Sequence, residues 1–199
     1  MNLARGSILV VMALPLESGG ALERLGVPLL YTGVGKINAT HALTRELVRR
    51  ASRTEPPPEL VLNLGTAGSA HFAAGTLVEC TRFVQRDMDA SPLGFAVGAT
   101  PFDAHPPVLQ RAARFAHLPR AGCGSGDDFC VTHDARQFEV VDMEAYAFAK
   151  VCHIEDVPFA CVKYITDGAK DGASAGEWQR AAHVAGERLA EFLRSAGFS

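Results

Sequence analysis

Two hydrophobic periods alternate along the chain. Residues 7–13, SILVVMA, form a continuous apolar run of strand type that ends at Pro15. VPLLYTG (27–33) is a second such run. INATHALTRELVRRA (37–51) comes next with helical spacing, which predicts Ile37, Leu43, Leu47 and Val48 roughly on one side. TEPPPE (54–59) stops that helix, because proline cannot continue it. Strands are predicted again at LVLNLG (60–65) and GTLVECTRFV (75–84). Residues 86–106 have mixed polarity and contain Pro92, Pro101 and Pro106, so loops and short strands are expected there. PVLQRAARFAH (107–117) predicts a short helix. QFEVVDM (137–143) predicts a strand running into a helix at EAYAFAKVCH, and VPFACVKYITD (157–167) a further strand. AGEWQRAAHVAGERLAEFLRSAG (175–197) is an amphipathic helix, with Leu189, Phe192 and Leu193 opposite Arg188 and Glu191.

Strands alternating with helices indicate an α/β fold with a mostly parallel or mixed central sheet flanked by helices. Ligands of such sheets bind outside the carboxyl ends of the strands. The rule singles out Glu17, Gly33–Lys36, Gly65–Gly68, Met143–Glu144 and Thr166–Asp167.

Composition narrows the class. The 199 residues are 48% hydrophobic and 21% charged, enough for one sizeable core, so one domain over 1–199 is expected. Net charge is −3 and no Lys/Arg stripe occurs, which argues against a nucleic-acid partner. No stretch approaches the ~20 apolar residues that span a bilayer, and MNLARGSILVVMALPLES reads as a first core strand rather than a leader. Cys80, Cys123, Cys130, Cys152 and Cys161 form no C-x-x-C pair and are odd in number, consistent with buried reduced thiols in a cytoplasmic protein. His71, His105, His117, His133 and His153 lack metal-ligand spacing, so neither a metal nor a cofactor is expected.

The chemistry lies at the strand ends. EVVDMEAYAFAK (139–150) places Asp142 and Glu144 inside an apolar run, where an unpaired carboxylate is costly. A carboxylate at Glu144 can satisfy itself on two adjacent sugar hydroxyls, or serve only as a helix N-terminal acid. Asp142 is expected to point to the opposite face. Glu17, in ALPLES, is either a site acid or a solvated acid near a helix start. TGVGKINAT (32–40) fails both the P-loop pattern and G-x-G-x-x-G, and reads equally as a tight turn. LNLGTAGSA (62–70) has small residues that let a ligand approach the backbone, with a hydroxyl at Thr66. GSGDDF (124–129) offers a flexible turn and then Phe129, whose ring can stack on a flat base. Asp167, before a glycine, is also an ordinary turn former.

In their order along the chain, ALPLES, TGVGKINAT, LNLGTAGSA, GSGDDF, VVDMEAYAFAKVCHIEDVPF and KYITDGA resemble the nucleoside phosphorylase and nucleosidase superfamily. They look most like the 5′-methylthioadenosine/S-adenosylhomocysteine nucleosidases. The resemblance implies a nucleoside phosphorylase-like fold and hydrolysis of the N-glycosidic bond of a 5′-substituted purine nucleoside. It implies that Glu17 activates the attacking water and that Asp167 protonates or hydrogen-bonds the leaving purine. Met143 and Glu144 would bind ribose, Phe129 would stack on the base, and the main chain of Cys130 would read its edge. Thr66, Ala67, Gly68 and Thr166 would line the sugar and base region. It implies a homodimer, with residues 87–95 contributing to the 5′ pocket. Two departures stand out: the segment between GSGDDF and EVVDME is compressed, so that an intervening helix is expected to be missing, and Lys163 stands where many relatives carry arginine.

Three readings remain open at this level. One is the hydrolase, with futalosine hydrolysis as a near variant. The second is a phosphorylase using phosphate, disfavoured because MALPLESGG offers no arginine for the anion. The third is a nucleoside-binding protein without turnover.

Overall fold

The computed structural model describes residues 7–129, 138–167 and 175–198, with the side chains of Asp167 and of residues 175–183 outside the description. Cys130, the compressed segment around it and His133 also lie outside the described residues.

Three of the strands are apolar on both faces because both faces are covered. In β1 (Ile8–Met12), Ile8, Val10 and Met12 pack with α4 (Ala175–Ser195), while Leu9 and Val11 join the cluster of α2 (Lys36–Ser52) and α3 (Ala145–Ile154). The same division runs through β3 (Leu60–Ser69) and β8 (Phe159–Asp167): Leu60, Leu62, Ala160 and Val162 face α4, and Val61 and Cys161 face the other side. β4 (Leu77–Gln85) carries Val78, Cys80 and Phe83 into that second cluster.

The sheet is mixed and closes on itself. β3 pairs in parallel with β1 and β8 and antiparallel with β7 (Val140–Asp142). β8 also pairs antiparallel with β4, which runs parallel to β6 (Arg120–Ser125), and β6 runs parallel to β7. β3, β8, β4, β6 and β7 therefore form a ring. β2 (Leu29–Tyr31) extends it beyond β1, and β5 (Val108–Gln110) beyond β4. Closure leaves few exposed edges and brings distant strand ends together.

Four expectations are corrected. Residues 107–117 are not a helix. Val108–Gln110 is an edge strand on β4, and the buried Glu79 carboxylate accepts bonds from Arg114 N (2.6 Å) and Phe115 N (3.1 Å), which hold residues 111–115 off a helical path. Arg120–Ser125 is a strand that no apolar run announced. LNLGTAGS is one long strand rather than a strand and a Gly-rich connection. In α2, Ala39 and Leu43 are buried with Leu47 packed beside them, but Ile37 and Val48 are 80% and 62% exposed. At 3.6 residues per turn, Ile37 and Val48 lie three turns apart on a separate stripe.

Among the described residues, no helix is long and apolar enough to cross a membrane, and no group of His, Cys, Asp or Glu is placed to hold a metal. Cys80, Cys123, Cys152 and Cys161 are free thiols, all buried.

Candidate active site

A cavity of about 360 Å³ opens at the carboxyl ends of β3 and β8. Glu17, Thr66, Ala67, Gly68, Phe129, Met143, Glu144 and Thr166 all line it, with Val34 from the Gly33–Lys36 turn, whereas none of residues 87–95, expected at the 5′ pocket, does. The main chain of Asp167 ends β8 beside Gly68.

Glu17 sits on α1 (Pro15–Ser18), one turn that starts at a proline shortly after β1 ends at Met12. It is 4% exposed and tightly held. Oε1 accepts from Thr66 N at 2.8 Å and from Thr66 Oγ1 at 2.7 Å, and Oε2 accepts from Leu14 N at 3.1 Å. Three donors fix the carboxylate, and no cation among the described residues touches it. Gly65 makes room for it: a Cβ there would lie 3.3 Å from Glu17 Oε1 and 3.5 Å from Lys163 Nζ. The Glu17 carboxylate and the Lys163 ammonium therefore flank the same spot on β3.

β3 and β8 stay in register from Val61–Phe159 to Ala67–Ile165, then slip, so that Gly68 opposes Asp167. Thr166 is the extra residue of this bulge, and its Oγ1 lies 3.4 Å from Ala67 O. Bulges re-aim side chains, and this one falls at the cavity rim.

Glu144 precedes α3 and is 7% exposed. Its Oε1 accepts from Gly35 N at 2.8 Å. Burial pushes its carboxyl up to about 8; the Asp142 charge adds to the rise, while Lys163 and the Gly35 amide oppose it.

Asp142 does not turn to the far face as expected; it lines the same cavity. Its Oδ2 lies 2.7 Å from Lys163 Nζ and accepts from Ala145 N at 2.9 Å, and its Oδ1 accepts from Ser125 Oγ at 2.5 Å. Burial alone would make it a weaker acid, but Lys163 and these donors hold the carboxyl below the usual aspartate range. The ammonium of Lys163, 2% exposed, is disfavoured by burial yet held well above the ordinary lysine value by Asp142.

At the mouth, Phe129 is 53% exposed. Arg86, which the sequence pattern did not single out, grips the loop before it: Nη1 donates to Asp128 Oδ1 (2.8 Å) and Nη2 to Asp128 O (2.6 Å). Its position directly after a buried strand was the available signal.

Residues 19–196 match the family model described as the phosphorylase superfamily. The chain belongs to that superfamily. Two relatives bear the name 5′-methylthioadenosine/S-adenosylhomocysteine nucleosidase. The one from Anoxybacillus flavithermus is 28% identical, over 87% of this chain and 82% of its own. The one from Bacillus thuringiensis is 30% identical, over 74% and 71%. Among solved structures, the nucleosidase of that name from Helicobacter pylori superposes with a TM-score of 0.80 at 20% identity, covering 97% of this chain and 98% of that one. Futalosine hydrolase of the same organism gives 0.81 at 20%, covering 96% of each. At that identity the structural likeness establishes the superfamily fold.

Proposed function

We propose that the chain is a nucleosidase that hydrolyses the N-glycosidic bond of a 5′-substituted purine nucleoside of the methylthioadenosine or adenosylhomocysteine type. The observation that carries this is the meeting of Glu17 and Glu144 on one nucleoside-sized cavity with Phe129 at its rim. Breaking the bond builds positive charge on the sugar and negative charge on the purine. Glu17, fixed by Thr66 and Leu14, orients and deprotonates the attacking water. Glu144 binds the 2′- and 3′-hydroxyls beside Met143 and, once ionised, faces the cationic sugar. Phe129 stacks on the base, the main chain of Cys130 reads its edge, and Asp167 supplies the proton or hydrogen bond to the leaving purine. Thr66, Ala67, Gly68 and Thr166 form the wall against which sugar and base rest.

Water rather than phosphate is the nucleophile in this reading. Among the described residues, the cations that line or back the cavity are paired with acids, Arg86 through its terminal nitrogens with Asp128 and Lys163 with Asp142. A phosphate dianion beside Glu17 would have to compete with those acids for them.

The working form is a cytoplasmic homodimer that needs no cofactor. Reduced buried thiols fit that compartment. Pairing is supported by the exposed Ile37 and Val48, which line a groove with Thr44, Tyr146 and Lys150 next to the cavity. Sedimentation equilibrium reads the pairing: a chain that stays monomeric at micromolar concentration, with Ile37→Lys indistinguishable from it, contradicts the dimer.

The decisive assay offers methylthioadenosine, adenosylhomocysteine, futalosine and inosine, with and without phosphate, and follows free base by chromatography. Adenine release from the first two without phosphate is expected. Strict phosphate dependence selects phosphorolysis, and binding without any release selects the non-catalytic reading.

A further inference from the structure

The loop between β6 and Phe129 is tied to the sugar end of the cavity by one residue. Asp127 Oδ1 accepts from Lys36 N at 2.7 Å. Lys36 opens α2, and the N-cap position before it is Gly35, which has no side chain to cap with. The cap therefore comes from Asp127, ninety-one residues away. Gly35 has φ of 93°, which favours glycine, and a Cβ there would stand 3.1 Å from the same Asp127 oxygen, a tight contact. Gly35's own N–H donates to Glu144 Oε1. Two successive amides of one turn thus reach two carboxylates from different parts of the chain.

Asp127 is itself anchored. Its N–H donates to Asp87 Oδ2 at 2.9 Å, and Asp87 pairs with Lys36 Nζ. Arg86, beside Asp87, holds Asp128. Residues 86 and 87 at the end of β4 clamp the loop against the turn.

We propose that Asp127 is a positioning residue for Glu144: by holding the Lys36 amide it fixes the Gly35 turn, so that the Gly35 amide stays on the sugar-binding carboxylate. The physical need is conformational entropy. Fixing a backbone residue is costly, and most costly for glycine. Without Asp127 the turn keeps the Lys36 side-chain pair with Asp87 but loses the hydrogen bond that fixes its backbone beside Gly35. Base-side loop and sugar-side acid then order as one unit. The proposal rests on the nucleosidase reading.

The test is equilibrium binding of formycin A, whose carbon–carbon glycosidic link resists hydrolysis, against its 2′,3′-dideoxy analogue. Wild type, Asp127→Ala, Asp127→Asn, Glu144→Gln and the Asp127→Ala/Glu144→Gln pair are compared, with thermal melts as the folding check. The wild type should prefer the ribonucleoside. Asp127→Ala should lose about tenfold of that preference, Asp127→Asn, which keeps an acceptor oxygen, should retain most of it, and Asp127→Ala should cost nothing further in the Glu144→Gln chain. An unchanged preference in folded Asp127→Ala, or losses that simply multiply in the double variant, overturns the proposal. Where Asp127→Ala does not fold, Asp127→Ser takes its place, since its shorter side chain draws the acceptor back from the Lys36 amide: a loss of preference supports the coupling, and wild-type preference overturns it. A wild type that binds neither compound overturns the nucleosidase reading instead.

Discussion

Lys163 Nζ lies 2.7 Å from Asp142 Oδ2, with both side chains almost fully buried. Asp142 lines the cavity, and Lys163 Nζ reaches the same spot beside Gly65 as the Glu17 carboxylate. Breaking a buried pair by removing one partner strands the other charge, which costs ~3–5 kcal/mol. Lys163→Met and Asp142→Asn should each cost about that much. The double variant should cost clearly less than their sum, since no charge is left unpaired. Urea denaturation of the four chains measures this, and additive losses would show that the two groups do not depend on each other.

Glu144 makes stability and activity respond to pH in opposite senses. Its carboxyl titrates near 8 in the folded chain against an ordinary glutamate value of 4.5. Between those values the folded state holds a proton that the unfolded state has released. Its contribution to stability is therefore complete below 4.5 and is lost as pH rises toward 8, at no more than ~1.4 kcal/mol per pH unit. The ionised form is the one that accepts bonds from sugar hydroxyls, so kcat/KM should climb over the same window. Glu144→Gln should flatten both profiles. Urea midpoints and kcat/KM from pH 5 to 9 test the claim; identical slopes in the variant would assign the titration to another group.

Thr66 should matter to rate more than to folding. Its hydroxyl and amide both hold Glu17 Oε1, and Thr66→Val removes only the hydroxyl. General acid–base help is worth ~10²–10⁴ in rate, and a loosened Glu17 should forfeit part of it, so kcat should fall by about 10–100-fold, with the larger effect on kcat than on KM. Thr66→Ser keeps the oxygen and should recover most of the rate. A large KM change with normal kcat would mean that Thr66 acts through its wall contact with substrate and not through Glu17.

These contacts also explain how much the sequence made legible. β1 and β8 are covered on both faces, so their apolar runs were plain to read. β6 is equally buried but built of small residues: a Cβ at Gly122 would fall 2.6 Å from the Arg82 guanidinium, and one at Gly124 2.6 Å from the Phe138 ring. Side chains from neighbouring strands and loops cross it, and no count of apolar residues can register a strand made to be crossed. The helix expected over 107–117 failed for a related reason, since its amides answer to Glu79 on another strand. At the site, Glu17 and Glu144 were readable because they are acids at the ends of apolar runs. The Asp142–Lys163 pair was not, because adjacency of β7 and β8 to a shared neighbour is a property of the closed ring. The bulge that gives Thr166 its place is likewise a matter of register, which hydrophobic pattern leaves open where both faces are buried.

Gly186 links the packing of α4 to the chemistry of Glu17. A Cβ at Gly186 would lie 2.0 Å from Ser18 O and 3.0 Å from Glu17 O, both backbone atoms. Two effects of Gly186→Ala oppose each other. Alanine in a helix interior is worth ~0.8–1 kcal/mol more than glycine. Overpacking against a fixed backbone costs ~1–3 kcal/mol, and here the obstacle has no rotamer to give. The clash should win, leaving a net loss of stability and pushing α4 off α1. Because α1 carries Glu17, kcat should fall as well. Arg188→Ala, on the exposed side of the same helix, should change neither property appreciably. A thermal melt of Gly186→Ala shifted upward, with full activity, would mean that α4 and α1 do not meet as closely as this contact requires.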